Sequence, residues 1–154
     1  MQTLSNNWNA KRKGVFDIMA NVRSLNKDKY SIDKFRFREL YYFCLQYNGW
    51  KDDLKYNENP LKGVQYDGMP GSGSPGNPTM KAAIECAEMS KKCAVIEAAA
   101  KMADPELFDY IIFAVTHENI TFNYLKLQKE IPCERDRYYN SRRKFYFHLD
   151  KLLK

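Results

Sequence analysis

The chain has no apolar run long enough to cross a bilayer and no signal-peptide pattern, so a protein of a reducing cytoplasm is expected. Its four cysteines, Cys44, Cys86, Cys93 and Cys133, form no Cys-x-x-Cys pair, and its two histidines, His117 and His148, complete no zinc spacing. A structural metal and a disulfide framework are therefore not expected. Each thiol falls at an apolar or cap position, where free cysteine is usually buried. No set of His, Cys or carboxylates offers nucleophile, base and orienting group together, so neither enzymatic chemistry nor a cofactor is expected. The Asp52-Asp53 pair beside Trp50 reads as a solvated helix face. A Gly-rich stretch, Gly71-Ser-Gly-Ser-Pro-Gly76, precedes a helical pattern but lacks the Lys-Ser/Thr ending of a phosphate-cradling P-loop, and no strand pattern feeds it.

What the chain does carry is positive charge, unevenly placed. At 154 residues it can bury a core as one domain, or as one small domain with an appendage. Of the net charge of +6, residues 1–38 supply +6, residues 39–128 supply −4 and residues 129–154 supply +4. Basic ends around an acidic middle attract a polyanion, and phosphate contacts make such binding salt-dependent. The Lys11-Arg12-Lys13 triplet is a weak patch by itself and reads as a solvated tail, with an arm on phosphate as the sharper alternative. A short helix from Val15 to Leu25 is possible, because Val15, Ile18, Met19 and Val22 share a face.

The strong periodic segments are helical. Ser31 offers an N-cap, with Asp33 in the first turn. Leu40, Phe43, Tyr47, Trp50 and Leu54 then keep a 4-3 spacing that lines one helical seam with large side chains. Gly49 lies inside it and can mark a bend. Turn residues crowd residues 58–77 and leave no period for a helix or strand. The next helix runs from Pro78 or Thr79 to Ala103, with Asn77 as its cap. Its seam of Ala82, Cys86, Met89, Cys93, Ile96, Ala100 and Ala103 is small-sided, a complement to the large one. The two predict an antiparallel hairpin; the rival is that one seam pairs with a second copy. Asp104-Pro105 stops this helix and opens another, from Glu106 to His117, with Leu107, Tyr110, Ile111, Ala114 and Val115 inward.

The last third has the order and composition of a helix-turn-helix. Thr121 caps a short helix, Phe122 to Lys129, with Phe122, Leu125 and Tyr124 inward. Pro132 breaks it after a turn of about four residues, and the final helix starts near Cys133 or Glu134. Projected at 100° per residue, Tyr138, Phe145, Leu149 and Leu152, flanked by Tyr139, Tyr146 and Leu153, form an apolar arc. Asp136, Arg137, Asn140, Arg143, Lys144 and Lys151 lie opposite. In a helix-turn-helix the N-terminal part of the second helix meets base edges, which puts Arg137, Asn140 and Lys144 nearest, with Arg143 beside them. Arg135 and Arg142 project toward the apolar side, where a salt bridge to a preceding acid and a phosphate contact are both open. Asn123 and Lys126 are candidate phosphate contacts on the supporting helix. The bland alternative is an amphipathic bundle helix with a solvated basic face. RNA or a membrane surface would share the charge without explaining the two-helix geometry.

Val64-Gln-Tyr66-Asp-Gly-Met-Pro70, Asn77-Pro-Thr79, Ala103-Asp-Pro105 and Ile131-Pro-Cys-Glu-Arg135, followed by Tyr138-Tyr139, Arg142-Arg143 and Phe145-Tyr146, resemble in order the RinA/ArpU type of phage late-gene transcription regulators, over about residues 35–154. The likeness implies a sigma-region-4-like helix-turn-helix, in a phage or prophage of Gram-positive bacteria, that binds a late promoter. It also implies that Arg135, Arg142 and Arg143 fall in the recognition helix. The first 30 residues depart from that pattern. The combined expectation is an all-α chain: a basic tail or short helix over 1–30, a hairpin over 31–103 with its loop at 58–77, and a helix-turn-helix over 104–154. It would bind double-stranded DNA and, through the hairpin, host RNA polymerase or a second copy. The alternatives are a small terminase subunit and an adaptor of polymerase or a phage protein that binds no DNA.

Overall fold

A computed structural model describes residues 27–57 and 78–154, and among these there is no strand; the architecture is all-α. In chain order the helices are α1 (Lys27–Tyr30), α2 (Lys34–Leu45), α3 (Tyr47–Asn57), α4 (Pro78–Ala103), a 3₁₀ turn (Pro105–Leu107), α5 (Phe108–Thr116), α6 (Phe122–Gln128) and α7 (Arg135–Leu152). The basic triplet, the helix expected over 15–25, the 58–77 loop and the Asn77 cap lie outside the described residues.

The first seam belongs to two helices. Asp33, not Ser31, caps α2: its carboxylate accepts the Arg36 N–H at 2.7 Å. Ser31 instead takes a left-handed conformation (φ 53°) and turns the chain so that Ile32 points into the core. Ile32 just before the cap and Phe37 four residues after it are both buried, the placement of a hydrophobic staple. The break falls at Gln46, whose N–H reaches the Phe43 carbonyl at 3.3 Å, and not at Gly49. A Cβ added at Gly49 would meet open space, so packing places no demand on that glycine.

α3 lies along α4. The Tyr47 hydroxyl donates to Glu97 at 2.7 Å, Lys51 reaches the same carboxylate at 2.8 Å, and Lys92 sits over the Trp50 ring at 5.3 Å. On α4, Cys93, Ile96, Ala100 and Ala103 are buried, but Cys86 and Met89 are half-buried and Ala82 is exposed. Length explains the gradient. At 1.5 Å per residue α4 is about 39 Å long and α3 about 16 Å, so α3 covers less than half of it.

The C-terminal half of α4 also carries its largest contact, against α7, and packs on α5; α2 packs on α5 and α7. Ala99, Ala100 and Ala103 leave room on that side for the rings of α7. One core cluster results, running from Leu40 and Ile96 through Leu107, Ile111 and Leu125 to Phe145 and Leu149. Segments 31–103 and 104–154 thus share it. On the helix after Pro105, Leu107, Ile111, Ala114 and Val115 are buried and Tyr110 is half-buried.

Candidate nucleic-acid interface

Thr121 caps α6 as its position predicts, accepting the Tyr124 N–H at 3.3 Å. Phe122 and Leu125 face inward, and the Phe122 ring meets Tyr138 of α7 with centroids 5.7 Å apart. Tyr124, expected inward, is 41% exposed. It lies flat against Phe113 instead, at 6.1 Å and 9°. The connection from α6 to α7 spans residues 129–134, longer than the four-residue turn the sequence suggests. Glu130 takes the left-handed conformation (φ 51°) that glycine usually fills, and the Ile131 N–H turns back to the Leu125 carbonyl at 3.3 Å. This buries Ile131 and Cys133 on either side of exposed Pro132. Left-handed backbone costs a side-chain-bearing residue roughly 1–2 kcal/mol, against roughly 0.4–1 kcal/mol of added unfolded-state entropy for glycine. Glu130→Gly is therefore expected to stabilise the fold by about 0.5–1 kcal/mol in denaturant titration. A loss of stability would contradict this turn geometry.

On α7, Tyr138, Phe145, Tyr146 and Leu149 are buried and Tyr139 is half-buried. Leu152 and Leu153, expected inward, are exposed because the last turn extends past its packing partners. The exposed side holds the cations, but not all of them are available to a ligand. Arg137, the first choice for a base contact, grips the acids where α4 meets the 3₁₀ turn. Its Nε and Nη2 donate to the two Asp104 oxygens at 3.2 Å each, and Nη2 donates to Glu106 at 2.5 Å. Ser141 adds a hydrogen bond to Asp104 at 3.0 Å. Burial raises the Asp104 carboxyl pKa, but the bonds from Arg137 and Ser141 outweigh it and hold the group below its ordinary value. The Asn140 side-chain carbonyl accepts from Arg143 at 3.0 Å. Lys144 is exposed, as are Asn123 and Lys126 on α6. Arg135 is exposed and lies over the Tyr139 ring at 5.7 Å.

No family model, curated protein or solved structure matches the chain. Among the described residues, no group of three His, Cys, Asp or Glu is placed to hold a metal ion, and no helix is long and apolar enough to cross a membrane.

Arg142 satisfies neither of the roles its position left open. It is buried, and no carboxylate among the described residues pairs with it. One guanidinium nitrogen reaches the Tyr138 hydroxyl at 3.4 Å, while Nε and the neighbouring Tyr146 hydroxyl have no hydrogen-bond partner. An arginine stays protonated even there, because guanidinium is too strong a base to give up its proton inside a protein. Burial pushes the adjacent Cys44 thiol pKa far up, with Arg142 opposing. Arg142 cannot touch phosphate without leaving the core.

Sequence reasoning missed a second clasp. Asp150, its side chain 6% exposed, accepts from Arg36 of α2 at 2.7 Å and pairs with Lys154 at 2.7 Å. Asp150 sits two positions before the end of α7, and nothing in its local spacing names a partner 114 residues away.

Proposed function

We propose that the chain binds double-stranded DNA through α6 and α7 and acts as a phage or prophage transcription regulator, a late-gene activator by its likeness to the RinA/ArpU type. The observation that supports this reading is the division of α7. One side is core aromatic, and the other presents Arg135, Lys144 and Lys151 exposed, with no carboxylate paired to any of them among the described residues. The short α6 braces α7 through Phe122 and Tyr138 and exposes Asn123 and Lys126 on its own outer side. Exposed cations left without a carboxylate partner, on a helix braced by a shorter one, are the groups that phosphate contacts use.

Fluorescence anisotropy with a labelled duplex of about 25 base pairs tests the proposal. Non-specific binding with Kd in the range of roughly 10⁻⁴ to 10⁻⁶ M is expected near physiological salt, tightening steeply as salt falls. Promoter DNA from a phage carrying the gene should compete better than random duplex by about 10³ or more. Absence of any shift at about 50 mM salt, on the scale of that dependence, would remove the reading.

A further inference from the structure

The exposed, unpaired cations of α7 gather toward its C-terminal half. Its N-terminal end is acidic on balance. Glu134, Asp136 and Glu106 are exposed and Asp104 is half-buried, against the cations Arg135, Arg137 and Lys126. The Arg137 fork is already filled by Asp104 and Glu106. Moving it to a phosphate would strand the Asp104 carboxylate without its guanidinium.

The C-terminal half differs. Lys144, His148 and Lys151 stand at i, i+4 and i+7, one face of a helix over about 10 Å. Lys151 lies over the Phe147 ring at 4.3 Å, Tyr30 of α1 meets that ring edge-on at 5.8 Å, and Lys29 sits over Tyr30 at 5.6 Å. The aromatic pair therefore joins the cations of two helices into one patch. The acid within this stretch, Asp150, is turned into the core and neutralised by Arg36 and Lys154. Burial lowers the His148 pKa, and the nearby Lys151 and Lys144 lower it further, so the imidazole sits as a polar group between the two lysines.

We infer that the phosphate backbone of a duplex runs along the C-terminal half of α7 and across to α1, on Lys144, His148, Lys151 and Lys29, with the N-terminal turn of α7 outside the footprint. This rests on the DNA-binding reading above. It makes Arg137 a structural clasp, with no part in recognition.

The test is the salt dependence of duplex binding by the full chain. Each lost phosphate contact lowers the slope of log K against log salt by about 0.9. Lys144→Ala with Lys151→Ala should lower it by about 1.8, the same for promoter and random duplex, with an unchanged circular dichroism spectrum. Arg137→Ala should leave the slope unchanged. A parent chain that binds no duplex at low salt would remove the function reading itself. A parent that binds while the lysine pair leaves its slope untouched, or while Arg135→Ala and Asn140→Ala abolish binding, would overturn the footprint alone. Binding of phosphatidylserine vesicles in place of duplex, lost in the lysine pair, would assign the patch to a membrane and overturn it as well.

Discussion

Tyr146→Ala should destabilise the protein by about 3–5 kcal/mol, the usual cost of removing a buried ring. Tyr146 is 1% exposed. Its ring meets Phe37 of α2 edge-on at 4.7 Å and Phe145 at 5.1 Å, so it stands where α2 crosses onto α7. Those neighbours are rings on separate helices and cannot close over the gap without moving the helices. The gap would also open beside the Arg142 guanidinium, removing part of the phenol that screens it. In a chain of this size each kcal/mol moves Tm by roughly 2–4 °C, so a fall of roughly 6–20 °C is expected by thermal circular dichroism. Tyr146→Phe removes only the hydroxyl, which meets the Arg142 guanidinium electrostatically and makes no well-formed hydrogen bond. It keeps the ring packing and should stay within about 1 kcal/mol of the parent, because the desolvation cost of the buried hydroxyl offsets what its dipole gains beside Arg142. If the alanine variant matched the parent instead, α2 and α7 would not be packed through this ring.

The contrast between Tyr146 and Arg142 shows what could be read in advance. Period and capping chemistry are local, so Thr121, the Asp104-Pro105 stop and the end of α4 at Ala103 were all legible in the sequence. The hydrophobic arc of α7 was legible too, because projection depends only on spacing. What stands opposite each residue is not local. Projection put Arg142 toward the core but could not show that no carboxylate waits there. It put Arg137 outside but could not show that Asp104, 33 residues earlier, would occupy it. Helix ends failed for a related reason. Leu152, Leu153 and the first turns of α4 keep the apolar spacing, yet they extend past the helices beside them. The candidate site suffered most, since it depends on which cations remain unpaired, and pairing is settled by the tertiary contacts.

The Asp150 clasp should make stability depend on acid in a way that identifies it. At neutral pH, Asp150→Ala breaks a pair whose carboxylate side is buried. A fully buried pair costs about 3–5 kcal/mol to break, and the partial exposure of Arg36 reduces that to about 2–3 kcal/mol. Burial raises the Asp150 pKa, but the bonds from Lys154 and Arg36 outweigh it and leave the group below its ordinary value; Asp104 is lowered in the same way by Arg137 and Ser141. A carboxyl with a depressed folded pKa stabilises the fold at pH above its unfolded pKa, about 3.9, and that contribution is lost as pH falls through the folded pKa. The parent should therefore hold its Tm from neutral pH down to about 4 as far as these two groups decide it, and then lose stability below that. Asp150→Asn keeps an acceptor but no charge, so it starts lower at neutral pH and falls less steeply. The two curves should converge at the acid end, where the parent carboxyl is protonated as well. A gap of undiminished size at the acid end of the titration would show that shape rather than charge at residue 150 joins α2 to α7.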